Sequence, residues 1–447
     1  MEHAALLCGF GKREITPPIG SPIVGYYKKR FVKGVIDPLF VRAAMFQSGE
    51  TRALIIALDV CLIQKVWSDR IREKCAQAFN MDIDAIILNA SHTHTGPLTG
   101  NDFASELVVD PGYLDMLVEQ AYCAAGEALV DLKPARLFYA ETEAKGIAFL
   151  RRYRMKDGTV KTNPKNREEI ECPMGKPDET VRLLKIRREG ADDVCMVHFG
   201  THADTVHGEY ISADWPGYVC SILEAAIPGS KAMFLLGPQG DAAHANRMVE
   251  DLGIVVSEKR DEDVKETAAD ARYMGRVIVG SLLQVFDRAE EIGNEGISFA
   301  KTEMQLPTNR INEGIEEAER INAIYLAGRA KEEGIKQGEV VKARRLIRLQ
   351  NAPPFYVHTA YALRIGGFVF SGVPGEPFTE IGRRIYAASP FPRMMVCCQT
   401  NVSCGYVPDG AAYEEGGYEA NTSSFKKGAD DAYVQAAVQA LKMLEKE

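Results

Sequence analysis

The sequence predicts an α/β (α+β) fold built from layers around a mixed sheet, and three observations carry that expectation. Short apolar runs rich in Val, Ile, Leu and Phe recur at Ala53–Leu58, Ala85–Leu88, Val194–Phe199, Ala232–Leu236, Phe368–Phe370 and Met394–Cys397, and runs of this length read as buried strands. Between them lie stretches with apolar residues at helical spacing, at Val66–Phe79, Tyr113–Leu132, Ala268–Phe286 and Phe378–Ala387. The chain of 447 residues is 46% hydrophobic and 26% charged, which is enough apolar material to cover both faces of a sheet.

The segment from Glu313 to Leu349 differs, being dense in Glu, Lys, Arg and Ala with opposite charges three or four residues apart. It predicts a solvated helical pair that either carries no chemistry, covers a cleft or supports a homo-oligomer. No internal repeat or Gly/Ser linker divides the sequence, so residues 1–447 are expected to form a single domain. A final helix is expected over residues 430–447.

A formal charge of −9 argues against a broad basic surface for a nucleic-acid backbone. No apolar run of about 18 residues is present and Met1 to Gly9 lacks a secretion signal, so neither a membrane span nor export is expected. The ten cysteines are scattered through predicted elements, and buried, inert thiols in a reducing cytoplasm are the expectation.

Chemistry collects where strands end. Of eight histidines, five (His92, His94, His202, His207 and His244) lie in or just after segments that follow predicted strands, where loops present side chains without disturbing a core. In Ser91-His92-Thr93-His94-Thr95-Gly96-Pro97 the two histidines would face one cavity if the strand conformation persists, a pattern that favours a metal or catalytic role over a packing role. His202, in Gly200-Thr201-His202-Ala203-Asp204, reads as another ligand. Asp214 either orients a histidine or takes a proton, or it caps the helix beginning near Pro216, and the residues favour neither. In Gly237-Pro238-Gln239-Gly240-Asp241-Ala242-Ala243-His244-Ala245-Asn246, Gly240 would let backbone N–H groups approach a ligand. Glu376 sits in the Pro374-Gly375-Glu376-Pro377 turn, where a carboxylate could equally complement a helix dipole.

Taken in order, these segments resemble the catalytic domain of the neutral/alkaline ceramidase family, zinc amidases that split ceramide into sphingosine and a fatty acid. The opening Gly9-Phe10-Gly11-Lys12-Arg13-Glu14-Ile15-Thr16-Pro17, the His-Thr-His segment, Thr201-His202-Ala203 and Pro374-Gly375-Glu376 carry the resemblance, which runs from about Gly9 to the Asn421 region. It implies one zinc per chain, held by His92, His202, Glu376 and Tyr406, with Tyr413 and Tyr418 near enough in sequence to take the tyrosine's place. A set of two histidines, a carboxylate and a phenolate that leaves room for water suits catalytic zinc, and His94 would then stabilise an oxyanion or pass a proton to the leaving amine.

The resemblance also brings Asp241 and His244 among the catalytic candidates. Where the family has a serine in this stretch the chain has Ala243, which excludes a hydroxyl nucleophile there and leaves His244 or another group to substitute. The family's secretion signal and C-terminal immunoglobulin-like domain are not expected, which moves the substrate away from a membrane lipid. Arg151 and Arg152, in Leu150-Arg151-Arg152-Tyr153-Arg154, offer an anionic or polyhydroxylated substrate a cationic cluster, or pair with nearby acids as a solvated loop. The expected activity is hydrolysis of the C–N bond of an N-acyl amide in a small soluble metabolite. Its rivals are true ceramidase activity on N-acylsphingosine, an esterase or lactonase on the same scaffold, and a catalytically silent binding protein. No Gly-x-Ser-x-Gly elbow supports a serine hydrolase.

Overall fold

The computed structural model describes residues 5–26, 29–100, 107–245, 248, 264–311 and 313–445. Eight strands follow one another across a large mixed sheet: β1 (Leu7–Glu14), β2 (Phe40–Ser48), β3 (Thr51–Leu58), β4 (Ile86–Ala90), β5 (Lys133–Glu143), β6 (Thr180–Arg188), β7 (Asp193–Phe199) and β8 (Ser230–Leu236). Their spatial order is β8-β7-β6-β5-β1-β2-β3-β4, and Glu290–Ile292 pairs with β5 as a further strand. The β3–β4 and β7–β8 pairs are parallel, whereas the strands between them run antiparallel. A second sheet of four strands has the order β9 (Ile297–Pro307), β10 (Phe355–Ile365), β11 (Phe368–Gly372), β12 (Met394–Cys397).

Alternation along the strands explains the layering. On β3, Ala53, Ile55 and Ala57 face a core shared with Leu363, Ile365, Phe368, Phe370, Met395 and Cys397 of the second sheet. Leu54, Ile56 and Leu58 point the other way, against Trp67, Ile71 and Cys75 of α1 (Lys65–Phe79) and Leu117 and Ala121 of α2 (Pro111–Val130). On β7, Val194 and Met196 join the inter-sheet core, while Cys195, Val197 and Phe199 meet α3 (Asp214–Ala226) and α4 (Val264–Leu283). Residues of α7 (Thr379–Ala388) and α8 (Ala429–Leu444) cover the outer face of the second sheet, so the layers run helix, sheet, sheet, helix.

The expected strands and helices are present, with ends shifted by a few residues; the predicted Ala268–Phe286 helix ends at Leu283 and is followed by a short turn at Phe286–Arg288. The charged segment forms α5 (Ile315–Leu326) and α6 (Gln337–Gln350), packed on one another, and Arg345 of α6 donates to the Thr422 and Ser423 carbonyls. The N-terminus of α2 is set by Asp110, whose carboxylate accepts from Gly112 N–H, and by Pro111 in the first turn. Close docking of α2 on β1 needs Gly11, because a Cβ there would meet the Ala124 carbonyl oxygen at 2.0 Å. Among the described residues no helix is long and apolar enough to cross a membrane.

Candidate metal centre

The carboxyl ends of β4, β7, β8, β11 and β12 meet at one place, and Asn89 ties three of them. Its amide donates to the Cys398 carbonyl at 2.6 Å and its carbonyl accepts from Leu236 N–H at 2.9 Å. Strand β4 ends at Ala90, and His92 adopts φ +65°, a left-handed conformation uncommon for a side chain with a Cβ. The expectation that His92 and His94 share a face because a strand continues is therefore corrected: a turn brings them together, with their Nε2 atoms 3.2 Å apart. Asp214, Gln399 and Asn401 also have positive φ, so strained backbone gathers around this junction.

Three donors converge there. Nε2 of His92 and Nε2 of His202 each lie 3.3 Å from the same oxygen, Oε2 of Glu376, and all three residues are buried. Backbone carbonyls fix both rings. Nδ1 of His92 donates to Cys61 O at 2.8 Å, and Nδ1 of His202 donates to Gln239 O at 2.9 Å and Ala242 O at 3.0 Å. A carbonyl only accepts, so each Nδ1 carries a hydrogen and each Nε2 is left facing inward, free of a proton on His202 and, on His92, available to a proton or a metal ion. Glu376 is placed by a close approach: a Cβ on Gly240 would meet the Glu376 carbonyl oxygen at 2.4 Å, and Gly240 N–H donates to Pro377 O.

The electrostatics of the cluster call for one added positive charge. Burial raises the Glu376 carboxyl, but His92 and His202 beside it outweigh burial and hold it well below the usual carboxylate range. Burial likewise opposes charge on His92, yet Cys61 and Glu376 pull it well above an ordinary histidine. Burial, with Arg151 adding, pushes His202 down to about 4, and burial pushes His94 down to about 3, so both rings are neutral at pH 7. A proton on His92 supplies the charge in the bare cluster, and a divalent cation bound by the three donors would supply it with better geometry. The donor set therefore fits a metal, and its nitrogen and oxygen chemistry suits zinc.

Tyr406 pairs in register with Glu376 on a short parallel ladder, and its ring stacks on that of His202 with centroids 6.3 Å apart. It also hydrogen-bonds Arg151, while burial raises its hydroxyl well above the ordinary range. Of the other two tyrosines, Tyr413 directs its hydroxyl to Ser423 and Tyr418 packs its ring edge-on against Tyr406. Arg151 is buried and fully engaged, with Nε on Glu419 Oε1 at 2.6 Å, Nη2 on Gly240 O at 2.8 Å and Nη1 3.3 Å from Nε2 of His202. Arg152 pairs with Glu415 at 3.1 Å and lies over the Phe378 ring. Neither guanidinium stands as a free cation, because each charge is met by a protein carboxylate.

Asp241 accepts from the N–H and hydroxyl of Thr379, at 2.7 and 2.8 Å, and so anchors the first turn of α7. Asp214 accepts from Thr205, Val206 and Trp215 N–H, which organises the loop after His202, and its burial pushes its carboxyl up to about 7. The side chain of His244 lies near Asp204, which it helps to keep ionised. Asn246, at the end of that segment, lies outside the described residues.

Sequence reasoning missed the wall on the far side of His94. Asp204 Oδ1 accepts from the Tyr26 hydroxyl and lies 3.8 Å from Nδ1 of His94 and 3.6 Å from Nδ1 of His207. Arg30, 1% exposed, donates to the carbonyls of His94, Gly208 and Val24 beneath the Tyr26 ring. In the sequence Tyr26 and Arg30 belong to a basic run indistinguishable from a solvated loop. A cavity of about 680 Å³ between Phe10, Glu127, Val130 and Lys231 contains none of these donors, and its charges pair locally, as in Lys12–Glu224.

A layered α/β protein with a buried cluster of two histidines and a carboxylate at its strand ends carries a candidate metal centre, with donors brought together from the segments that follow its strands. The model of the neutral/alkaline non-lysosomal ceramidase N-terminal region matches residues 6–267, more than half of the chain, and the protein belongs to that family. The crystal structure of neutral ceramidase from Pseudomonas aeruginosa superposes with a TM-score of 0.75 at 16% identity, covering 99% of this chain and 75% of that one. A ceramidase complexed with C2 superposes with a TM-score of 0.72, again at 16% identity, covering 99% and 76%. At this identity the likeness establishes the fold. No curated protein matches the sequence.

Proposed function

We propose that the protein is a zinc-dependent amidohydrolase that cleaves the C–N bond of an N-acyl amide in a small soluble substrate. The observation that carries this reading is the convergence of Nε2 of His92, Nε2 of His202 and Oε2 of Glu376, with Tyr406 completing the set. A zinc ion held there would polarise the scissile carbonyl and acidify a water molecule.

The chain's own groups supply the rest. His94, neutral and edge-on to His92, would take a proton from the attacking water and return it to the leaving nitrogen, a step that amides need more than esters do. With a metal bound, Arg151 would steady the charge developing on the Tyr406 oxygen, and Glu419 keeps that guanidinium in place. Ala243 offers no nucleophile, so direct attack by water is favoured over an acyl-enzyme at that position. Family membership supports a second reading, hydrolysis of N-acylsphingosine itself. The ten free cysteines support a reducing, cytoplasmic setting.

The test is zinc content per chain in the native protein, His92→Ala and Glu376→Ala, followed by hydrolysis of N-acyl amides with short and long acyl groups. About one zinc in the native protein, lost from both variants, with turnover of short-chain amides, is the expected result. Zinc absent from native protein, or indifferent to both substitutions, would overturn the metal-dependent reading. Preference for N-acylsphingosine would replace the soluble substrate with the lipid.

A further inference from the structure

The charged helical pair carries a buried cation where packing asks for none. Along the inward face of α6, Val341, Arg345 and Leu349 follow one another at intervals of four, and all three are buried. An apolar side chain at 345 would complete that stripe without the cost of taking a charge out of water. Burial, with Arg348 adding, pushes the Arg345 guanidinium down to about 10, so it is still charged at pH 7, and among the described residues no carboxylate pairs with it. What the arginine supplies and an apolar residue would not is its hydrogen bonds.

Those bonds go to the end of a short helix, Tyr418–Thr422. Nε of Arg345 donates to Thr422 O at 3.2 Å and Nη2 donates to Ser423 O, and both carbonyls belong to the last turn, which leaves its oxygens without internal partners and partly negative. Arg348 donates to the Ser424 hydroxyl beside them at 3.0 Å. On its other side the same segment meets the metal centre three times. Ser423 Oγ donates to Tyr406 O at 3.0 Å, the Tyr418 ring packs edge-on against the Tyr406 ring, and Glu419 holds Arg151, which bonds the Tyr406 hydroxyl.

We propose that the α5–α6 pair braces the metal centre, with Arg345 as the positioning residue that locks residues 418–423 against Tyr406. Arg345 touches neither metal nor substrate. It acts through Ser423 on the Tyr406 backbone and through Glu419 and Arg151 on the Tyr406 hydroxyl, so two routes converge on one candidate ligand. The consequence for zinc rests on the proposed metal-dependent reading, whereas the bracing itself is measurable in metal-free protein.

The experiment compares wild type, Arg345→Met, Arg345→Lys and Glu376→Ala by hydrogen exchange of the metal-free proteins and by zinc affinity. Methionine keeps the length and the helix propensity of the site and removes the donors. Expected in Arg345→Met is exchange about tenfold faster at residues 418–423, where Asn421 and Ser423 N–H are bonded within the helix, with α6 and β12 protected as in wild type, which shows that the variant is folded. Its zinc affinity should fall about 10–100-fold, as it does when a ligand loses its support, and Arg345→Lys, which keeps the charge but gives one bond for two, should lie between. If Arg345→Met does not fold, Arg345→Lys carries the test alone, and wild-type behaviour in both readouts overturns the brace. Zinc that depends on Glu376 but is held as tightly by Arg345→Met as by wild type overturns the brace and leaves the metal centre standing. Faster exchange at 418–423 in a protein whose zinc ignores Glu376 supports the bracing of that segment and overturns the centre.

Discussion

At the scale of single residues, the candidate centre depends on how the outward side of each donor residue is held. His92 and His202 present Nε2 because carbonyls occupy Nδ1, and Arg151 faces Tyr406 because Glu419 holds its Nε. The candidate ligands could be singled out in the sequence because each sits in a short, distinctive setting after an apolar run, as His92 does between Ser91 and Thr93. Their supports were not. Glu419 is 268 positions from Arg151, and nothing local to Tyr418-Glu419-Ala420 marks a fully buried carboxylate. Glu419→Gln removes the charge that Arg151 needs and leaves a buried guanidinium partly compensated. Chemical denaturation should show a loss of about 3–5 kcal/mol, with weaker zinc retention. A variant of wild-type stability would mean that Arg151 finds another counter-charge.

At the scale of elements, the site is made by backbone meeting backbone. Turn residues 239–242 lie against the Glu376 turn so closely that only glycine fits at 240, which positions a candidate metal ligand through an element that contributes no candidate ligand itself. Gly240→Ala is expected to push the Glu376 turn away and cut zinc affinity about 10–100-fold, with far-ultraviolet circular dichroism unchanged. Gly11→Ala provides the contrast. It forces α2 off β1, should cost about 1–3 kcal/mol of stability as overpacking does, and should leave zinc affinity as it was. The elements themselves were unequally legible. The parallel strands β4, β7 and β8 are largely apolar runs and stood out, whereas the long antiparallel β5 and β6 are interrupted by charges, at Lys133, Arg136, Glu141 and Glu143 in the first and at Arg182, Lys185, Arg187 and Arg188 in the second. In β6, Arg182, Lys185 and Arg188 are buried along with the apolar residues, so no uninterrupted apolar run announces the strand.

At the scale of the whole molecule, one inter-sheet core joins both sheets, and His198 is a polar clasp across it. Nε2 of His198, on β7, donates to the Val396 carbonyl on β12 at 2.8 Å. We therefore propose that the chain unfolds as one domain, with a single cooperative transition in metal-free protein. Burial, with Arg182 adding, pushes His198 down to about 3, below its value of about 6.5 in an unfolded chain. Between those values the unfolded state holds the extra proton, so lowering the pH favours unfolding by about 1.4 kcal/mol per unit for this one group. Stability from this source is fully present above about pH 6.5 and falls away as the pH drops towards about 3. His198→Gln can keep a donor to Val396 but cannot titrate. Between pH 7 and pH 5 the metal-free variant should therefore lose about 2 kcal/mol less stability than metal-free wild type, measured by urea denaturation at each pH. Parallel losses in the two proteins would mean that His198 is protonated within the native core, and two resolved transitions would mean that the sheets unfold as separate units.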